Sequence, residues 1–424
     1  MQHHIFFEVL ATFSDDEPGW ETIMLGCLVM RAVDAWLKIG PIEINVDPSA
    51  VATQVKLEEL SGTTLSTEID AKTTDALRQI LLTLPAAPDR HAKHIEAPLY
   101  AYGLLLEEDG HWGLAADVYH TIAEAFFTAS SLTSADFAAA AHAYRKEAWA
   151  LRSAQQYDRA KIAYRTAIRL ARKAGDEEVW IRARLGLASM ARVRGNLPAA
   201  QRILTKLLAV CETISRDVAT RVRPDILHEQ AALFADQDRS VEALSTYYEA
   251  YESSRNSTSK EFILTDIGIC ALHLGFLRMA KDALDTVVLT GMYGRARQSA
   301  IIHLMLVAVF EGDQTEFERR RAQWQPQYCS ALTNAYARFF IARGLERFAT
   351  TREALSAYAD AVDFAERAGI HMAQFEALKE LERLKQSTNV RGATTTARPL
   401  PRSLMPISDI LSQLHSSALL NAEH

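Results

Sequence analysis

The stretch from Tyr144 to Ala167, YRKEAWALRSAQQYDRAKIAYRTA, contains the pattern that decides the fold. Its small and apolar residues recur every three or four positions in two runs: Tyr144, Ala148 and Leu151, then Ala160, Tyr164 and Ala167. This spacing places each run on one face of an α-helix, and the break between the runs interrupts it. The stretch therefore predicts two antiparallel helices joined by a short turn.

The same residue types return at fixed offsets along most of the sequence. A small residue of the first helix recurs in six copies, at Gly103, Ala148, Ala188, Ala231, Gly268 and Ala342. Twelve residues later each copy has an alanine: Ala115, Ala160, Ala200, Ala243, Ala280 and Ala354. Four residues further on lies a bulky side chain: Tyr119, Tyr164, Leu204, Tyr247, Leu284 and Tyr358. Four turns contain a glycine at the equivalent place: Gly110, Gly195, Gly275 and Gly312. Small residues let helices approach closely, and glycine permits the left-handed backbone that ends a helix.

This pattern resembles the tetratricopeptide repeat family over about residues 97 to 387. The family's small residue, turn glycine, alanine and tyrosine correspond to Gly103, Gly110, Ala115 and Tyr119 in the first copy. The resemblance implies an all-α, right-handed superhelical solenoid of about seven hairpins with a concave groove for a partner. A sixth copy departs from the pattern, with Met305, Phe317 and Arg321 at the signature positions. Successive copies lie 37 to 45 residues apart, against about 34 in the family. Such long repeats are similar to those of bacterial regulatory solenoids that sense small ligands or peptides.

Four segments follow from the composition along the sequence. Residues 1–90 are interpreted as an N-terminal cap on the first repeat, with a small α/β module including a strand at Ile42 to Val46 as the alternative. Residues 91–387 form the repeat region, and its last helix, His371 to Leu384, carries Phe375, Leu378, Leu381 and Leu384 on one face as a terminal cap. Residues 388–406 read as a flexible linker, and 407–424 as a short amphipathic helix.

The overall composition limits the function classes. A net charge of −7 and a pI near 6.0 argue against general nucleic-acid binding, which needs a basic surface. The four cysteines, Cys27, Cys211, Cys270 and Cys329, fit neither a disulfide framework nor a zinc spacing. No apolar stretch is long enough to cross a bilayer. We therefore expect a cytoplasmic protein that does not bind membranes.

No catalytic or cofactor-binding motif was found in the sequence. A phosphate-binding glycine loop, a HExxH zinc pair and a nucleophile elbow are all missing. The nearest approach to a metal site is His91, His94 and Glu96, ahead of the first repeat and without a further ligand. The sequence thus predicts a non-enzymatic protein without a cofactor or metal.

Two groups of residues are predicted to line the groove. The first is a basic groove in the second and third copies: Arg145, Trp149, Arg152, Arg182, Ser189 and Arg192. Arginine binds carboxylates and phosphates through paired hydrogen bonds, so this group predicts an acidic peptide, the C-terminus of a partner or a phosphorylated segment as the ligand. Alternatively, the arginines pair with Glu107, Asp225 and Glu229 and serve only solubility.

The second group is an apolar groove in the fifth and sixth copies: Phe262, Ile269, Leu272, Ile302, Leu306 and Val309. Exposed, it forms a large apolar patch that needs a cover. The cover is a partner or another segment of the same protein, unless the register shifts in the sixth copy and these are core residues. The C-terminal helix, Ser408 to Leu420, is one candidate cover through Ile410, Leu411 and Leu414, in the same molecule or a second one.

The function indicated first is a protein–protein interaction scaffold or adaptor that binds a partner segment in its groove. The alternative is a regulatory solenoid that responds to a ligand or peptide and switches an output partner. The signature residues are structural, so the partner and pathway lie beyond the repeat pattern.

Overall fold

The computed structural model describes residues 3–11, 20–37, 68–87, 91–128, 132–291, 294–326, 329–386 and 398–422. These residues form α-helices joined mostly by short turns, and no strand occurs among them. They fall into two compact units, residues 1–196 and 197–424. The boundary lies in the turn of the third predicted hairpin.

The described residues of the first unit form eight α-helices. They are α1 (His4–Leu10), α2 (Trp20–Leu37), α3 (Glu68–Ala86), α4 (Lys93–Glu108), α5 (Trp112–Ala125), α6 (Ser134–Ser153), α7 (Tyr157–Ala174) and α8 (Glu177–Val193). The pairs α4–α5 and α6–α7 are the first two hairpins, and α8 packs on α6 and α7. Helix α2 packs on α1 and α3, and α3 packs in turn on α4. The described part of residues 1–90 is therefore helical; the strand predicted at Ile42 to Val46 lies outside the described residues.

Eleven α-helices occur in the described part of the second unit. They are α9 (Leu197–Cys211), α10 (Arg216–Asp236), α11 (Ser240–Ser253), α12 (Ser257–His273), α13 (Leu277–Thr290), α14 (Gly294–Glu311), α15 (Gln314–Gln323), α16 (Ala331–Phe348), α17 (Thr351–Arg367), α18 (His371–Gln386) and α19 (Met405–Ala422). Hairpins four to seven are α10–α11, α12–α13, α14–α15 and α16–α17, and α18 packs on α17. The prediction of an all-α protein built from helical hairpins is confirmed.

The small and bulky repeat residues pack against each other between helices. The six repeat alanines have no exposed surface: Ala115, Ala160, Ala200, Ala243, Ala280 and Ala354. A Cβ on Gly186 of α8 would lie 2.2 Å from the Tyr164 ring of α7. A Cβ on Gly268 would likewise lie 2.6 Å from Leu284. The bulky residue of one hairpin thus fills a space that only a small residue leaves open.

Six of the seven hairpin turns share one left-handed residue, and the seventh has Ala349 in an extended conformation at that offset. Gly110, Gly195, Gly275 and Gly312 have φ between 75° and 81°. The second and fourth hairpins have Gln155 (φ 60°) and Asp238 (φ 59°) at the same offset. A side chain is strained in this region, so these two turns hold a conformation that glycine would adopt more easily.

The sixth hairpin forms despite its divergent signature. Met305 and Phe317 have no exposed surface, and α14 packs on α15. A Cβ on Gly344 of α16 would lie 2.1 Å from the Phe317 ring. Phe317, which replaces the usual alanine, is therefore accommodated by a glycine in the following hairpin.

Helix α18 is a terminal helix, but its buried face differs from the prediction. Ala373, Ala377, Leu381 and Leu384 are buried, whereas Phe375 is 65 % and Leu378 is 39 % exposed. The predicted face therefore combined buried and exposed residues. A helix has about 3.6 residues per turn, so apolar residues at every third position lie progressively further from the packed side.

The C-terminal segment begins to pack earlier than predicted and on a different surface. The backbone N–H of Arg398 donates to the carbonyl oxygen of Gly275 at 3.2 Å, and α19 begins at Met405. Helix α19 packs on α13, the second helix of the fifth hairpin. The prediction that it covers Ile269, Leu272, Ile302 and Leu306 is therefore wrong, because those residues belong to first helices.

Polar contacts explain why α19 packs on α13. Leu404 and Leu411 are fully buried. Directly after Leu411, the Ser412 hydroxyl donates a hydrogen bond to the buried carboxylate of Asp282 on α13. Nδ1 of His415 lies 3.4 Å from the other oxygen of that carboxylate. A buried carboxylate without partners is costly, so Asp282 favours a helix that supplies two polar groups.

Candidate ligand-binding sites

A cavity of about 710 Å³ lies in the second unit, on the side formed by the first helices of the hairpins. Its walls come from α12, α14 and α16, with α18 completing them. Consecutive first helices in this set contact one another. The volume is within the range of small-molecule sites in proteins, about 300–1,000 Å³.

The floor of this cavity contains four residues of the predicted apolar groove. Ile269, Leu272, Ile302 and Leu306 line it. Leu272, Ile302 and Leu306 are each less than 5 % exposed. Val309 is also buried, and Phe262 is partly buried. Of the alternatives that the sequence left open, burial of these side chains agrees with core residues: neighbouring helices cover most of them, and four line the apolar floor of the cavity.

A histidine of fixed tautomer lines the same cavity. His303 Nδ1 donates a hydrogen bond to the carbonyl oxygen of Ser299 at 2.7 Å. Burial lowers the pKa of His303 to about 4, so the ring is neutral at pH 7. With the proton on Nδ1, Nε2 is a hydrogen-bond acceptor. His273, whose charge would further oppose protonation, lies nearby at the rim.

The charged wall of the cavity comes from α16 and α18. The guanidinium of Arg343 lies 5.2 Å from the Phe310 ring and 6.0 Å from the Phe339 ring. Glu376 faces the same space, and burial raises the pKa of its carboxyl, while Arg343 and Lys379 oppose that rise. Neither Arg343 nor Glu376 forms an ion pair within the described residues. The cavity thus presents two opposite, half-buried charges.

Glu380 on the same wall is neutralised within the protein. Nε of Arg383 donates to Glu380 at 2.6 Å, and the same guanidinium bonds Glu346. Glu346 also accepts a hydrogen bond from the Tyr358 hydroxyl at 2.7 Å. This network holds α16, α17 and α18 together beside the cavity and leaves Arg343 and Glu376 outside it.

The residues of α16 that line the cavity were not predicted from the sequence, although the repeat offsets point to them. In the fifth copy, the predicted groove residues lie six before, one after and four after the small residue. In the sixth they lie three before, one after and four after Met305. The same offsets around Ala342 give Tyr336, Phe339 and Arg343, which line the cavity, and Glu346, which does not. The offsets were simply not extended to the seventh copy.

The basic groove of the first unit is assembled in part. Nη2 of Arg145 lies 3.1 Å from Nε2 of His142, and the Tyr100 hydroxyl lies 2.8 Å from Nδ1 of that ring. Burial, together with the charges of Arg145, Lys146 and Arg182, lowers the pKa of His142 to about 4. Arg145 and Arg182 therefore lie close enough to act on one neutral imidazole. Nε of Arg182 donates to Glu178 at 3.0 Å, so part of its charge is already compensated.

The remaining predicted residues of this groove have mixed roles. Trp149 packs edge-on against Trp112 with ring centroids 5.1 Å apart, and Lys146 lies over the Trp149 ring. Ser189 is buried, whereas Arg152 and Arg192 are partly exposed. Glu107, predicted to compensate the arginines, instead accepts hydrogen bonds from Lys146 at 3.0 Å and from Tyr119 at 2.7 Å.

No group of three potential metal ligands occurs among the residues that the structure describes. Of the residues considered as metal ligands in the sequence, His91 has its Nε2 3.6 Å from Oδ1 of Asp136. No helix in the described ranges is long and apolar enough to cross a membrane.

Comparisons with known proteins give similarities to solved structures only. No family model matches this sequence, and no curated protein matches it. Among solved structures, the protein is similar to a signal transduction ATPase with numerous domains (STAND) from Pyrococcus horikoshii that has a tetratricopeptide repeat sensor. The two are 16 % identical, with a TM-score of 0.33 over 99 % of this protein and 65 % of that one. At this score the similarity carries no argument, and the class of the protein, an all-α repeat of helical hairpins, depends on its own packing.

Proposed function

We propose that this protein is a non-catalytic regulatory binding protein whose cavity in the second unit receives a small ligand or short peptide. The observation that carries the proposal is the cavity itself, an apolar floor beneath convergent polar groups with perturbed pKa values. This combination is typical of ligand sites in proteins. A volume of about 710 Å³ favours a compact ligand over a long extended segment.

The cavity is also placed where a ligand would act on several hairpins. Its walls belong to three consecutive hairpins and the terminal helix. A ligand that contacts all of them favours the arrangement in which they are closest, and this is how a binding event shifts a conformational equilibrium. The output surface for a downstream partner then responds to ligand occupancy.

Native mass spectrometry of the intact protein purified from its source cells tests the proposal. We expect a bound small molecule or short peptide that is lost in Ser299→Trp, which fills the cavity. Ser416→Trp, on the exposed side of α19, is the matched control and retains it. Wild-type protein that carries nothing, or a ligand retained by a folded Ser299→Trp variant, would contradict the proposal.

A scaffold that docks an acidic partner segment is the second candidate, favoured by the convergence of Arg145, Lys146 and Arg182 on His142. The variant Arg145→Glu with Arg182→Glu should then lose partner recovery. Arg159→Glu with Arg165→Glu, on the exposed side of α7, is the matched control. Recovery of the same partners by both double variants would exclude this docking surface.

A further inference from the structure

Two half-buried residues that line the cavity of the second unit, Arg343 and Glu376, have opposite charges and no ion-pair partner among the described residues; the cationic Lys379, which also lines the cavity, is exposed. Arg343 is on α16 and Glu376 on α18, and both line this one cavity. They nevertheless do not form a salt bridge with each other or with another described residue. A half-buried charge without a partner is unfavourable, so a ligand that supplies the opposite charge gains free energy at each position.

The surroundings of each charge are suited to a polar group at the edge of an apolar body. The Phe310 and Phe339 rings hold the Arg343 guanidinium by cation–π contacts, which leave its N–H donors available. A planar guanidinium binds a carboxylate through two parallel hydrogen bonds. Glu376, as a carboxylate, accepts hydrogen bonds from an ammonium group.

The remaining surface fixes the character of the rest of the ligand. Ile302 and Leu306 form part of an apolar floor. The neutral ring of His303 contributes an acceptor and no charge. An aliphatic or aromatic body therefore fits the floor, and a peptide N–H is a suitable donor to the histidine.

We propose that the cavity binds a small zwitterionic molecule with an apolar body, its carboxylate on Arg343 and its ammonium group on Glu376. An apolar amino acid or a dipeptide with both ends free has this chemistry. Both termini must reach one cavity of about 710 Å³, which limits the length of peptide between them. This inference rests on the proposed function and specifies the ligand class for the same site.

Calorimetric titration of the intact protein with leucyl-phenylalanine tests the inference. Two capped forms of the same dipeptide, N-acetylated and C-amidated, each remove one charge. We expect each cap to weaken binding by at least about tenfold, since each removes a charge-assisted interaction. Free leucine, titrated in parallel, distinguishes an amino acid from a dipeptide as the preferred size.

Substitutions of Arg343 and Glu376 test which residue binds which charged end of the ligand. Arg343→Gln should weaken binding of free dipeptide but have little further effect on the amidated form, and Glu376→Gln should do the same with the acetylated form. The matched controls are Arg347→Gln on α16 and Glu382→Gln on α18, neither of which lines the cavity. We expect each variant to lose affinity only for the dipeptide forms that still carry the charge its residue binds.

Three outcomes overturn the inference. Equal binding of free and capped dipeptides excludes recognition of the two charges; if Ser299→Trp then abolishes both, the cavity is still a ligand site and the proposed function stands. Absence of binding by leucine and every dipeptide form also overturns the inference, and the mass-spectrometric result then decides the proposed function separately. Charge-specific losses that occur equally in the control variants place the site elsewhere.

Discussion

The hydroxyl of Tyr119 donates a hydrogen bond to Oε1 of Glu107 at 2.7 Å, and both residues are buried. Tyr358 and Glu346 repeat this relationship in the seventh hairpin at the same distance and the same sequence separation. In these two hairpins the repeat tyrosine therefore has two functions: its ring packs in the buried space between helices, and its hydroxyl satisfies a carboxylate on the partner helix.

Removing only the hydroxyl separates these two functions. Tyr119→Phe keeps the ring beside Gly103 but leaves Glu107 with Lys146 as its only side-chain partner among those observed. We expect the free energy of unfolding to fall by about 1–2 kcal/mol, the cost of an unmade buried hydrogen bond. Urea denaturation measures this change. Tyr157→Phe is the control, and equal stability of the two variants would contradict the assignment.

A glycine should stabilise the second hairpin turn. Gln155 has φ of 60° where other copies have glycine. Gln155→Gly relieves this strain, and we expect a gain of about 0.5–1 kcal/mol after the greater entropy of the unfolded glycine is included. The neighbouring substitution Gln156→Gly, at φ of −82°, should instead reduce stability. Thermal unfolding of both variants checks the sign, and a destabilised Gln155→Gly would show that this turn is not strained.

Because His3 is buried between two carboxylates, we expect the free energy of unfolding to fall at alkaline pH. Burial lowers the pKa of His3, but hydrogen bonds to Asp117 and Asp34 outweigh it and raise the pKa to about 9 from an ordinary 6.5. Its Nε2 lies 2.9 Å from Asp34. Because the pKa of His3 is higher in the folded state than in the unfolded state, the protonated ring stabilises the folded protein. This contribution to the free energy of unfolding is complete below pH 6.5 and is lost as pH rises through about 9.

Urea denaturation between about pH 6 and 9.5 tests this. The free energy of unfolding of the wild type should fall by up to about 1.4 kcal/mol per pH unit relative to His3→Gln. His4→Gln, at the exposed neighbouring position, should follow the wild type. Parallel curves for wild type and His3→Gln would show that the imidazolium contributes nothing.

The sequence predicted the hairpins because their determinants are local. The offsets among Gly103, Ala115 and Tyr119 recur wherever two helices must approach closely, so a single sequence shows them several times. The same offsets also contained the cavity wall at Arg343. Periodicity was therefore sufficient for the fold and for part of the site.

Periodicity was insufficient where two surfaces compete for one apolar helix. The pattern of α19 identified Leu411 as apolar, but not whether it packs on a first or a second helix. On α13, the buried Asp282 contacts Ser412 and His415 of α19, and these polar contacts favour packing on that second helix. A carboxylate within an amphipathic helix looks like a solvated residue in sequence, and only the packed structure shows its partners.

The position of α19 on α13 gives a further prediction. Leu411→Asp places a carboxylate in the fully buried contact, near Asp282, and should release α19. Hydrogen exchange should then become fast in residues 405–422, while α12 and α14 remain protected. Leu420→Asp, at a position 62 % exposed, is the control. Unchanged protection of α19 in Leu411→Asp would contradict the observed docking.

Methyl NMR of the intact protein tests the cavity most directly. Spectra with labelled isoleucine and leucine methyl groups would be recorded during titration with a source-cell extract freed of macromolecules. We predict that Ile269, Ile302 and Leu306 shift on titration, that Ile181 and Leu204 do not, and that the shifts disappear in Ser299→Trp. Shifts that leave the three cavity residues unchanged, or that persist in the folded Ser299→Trp variant, would contradict a ligand site in this cavity.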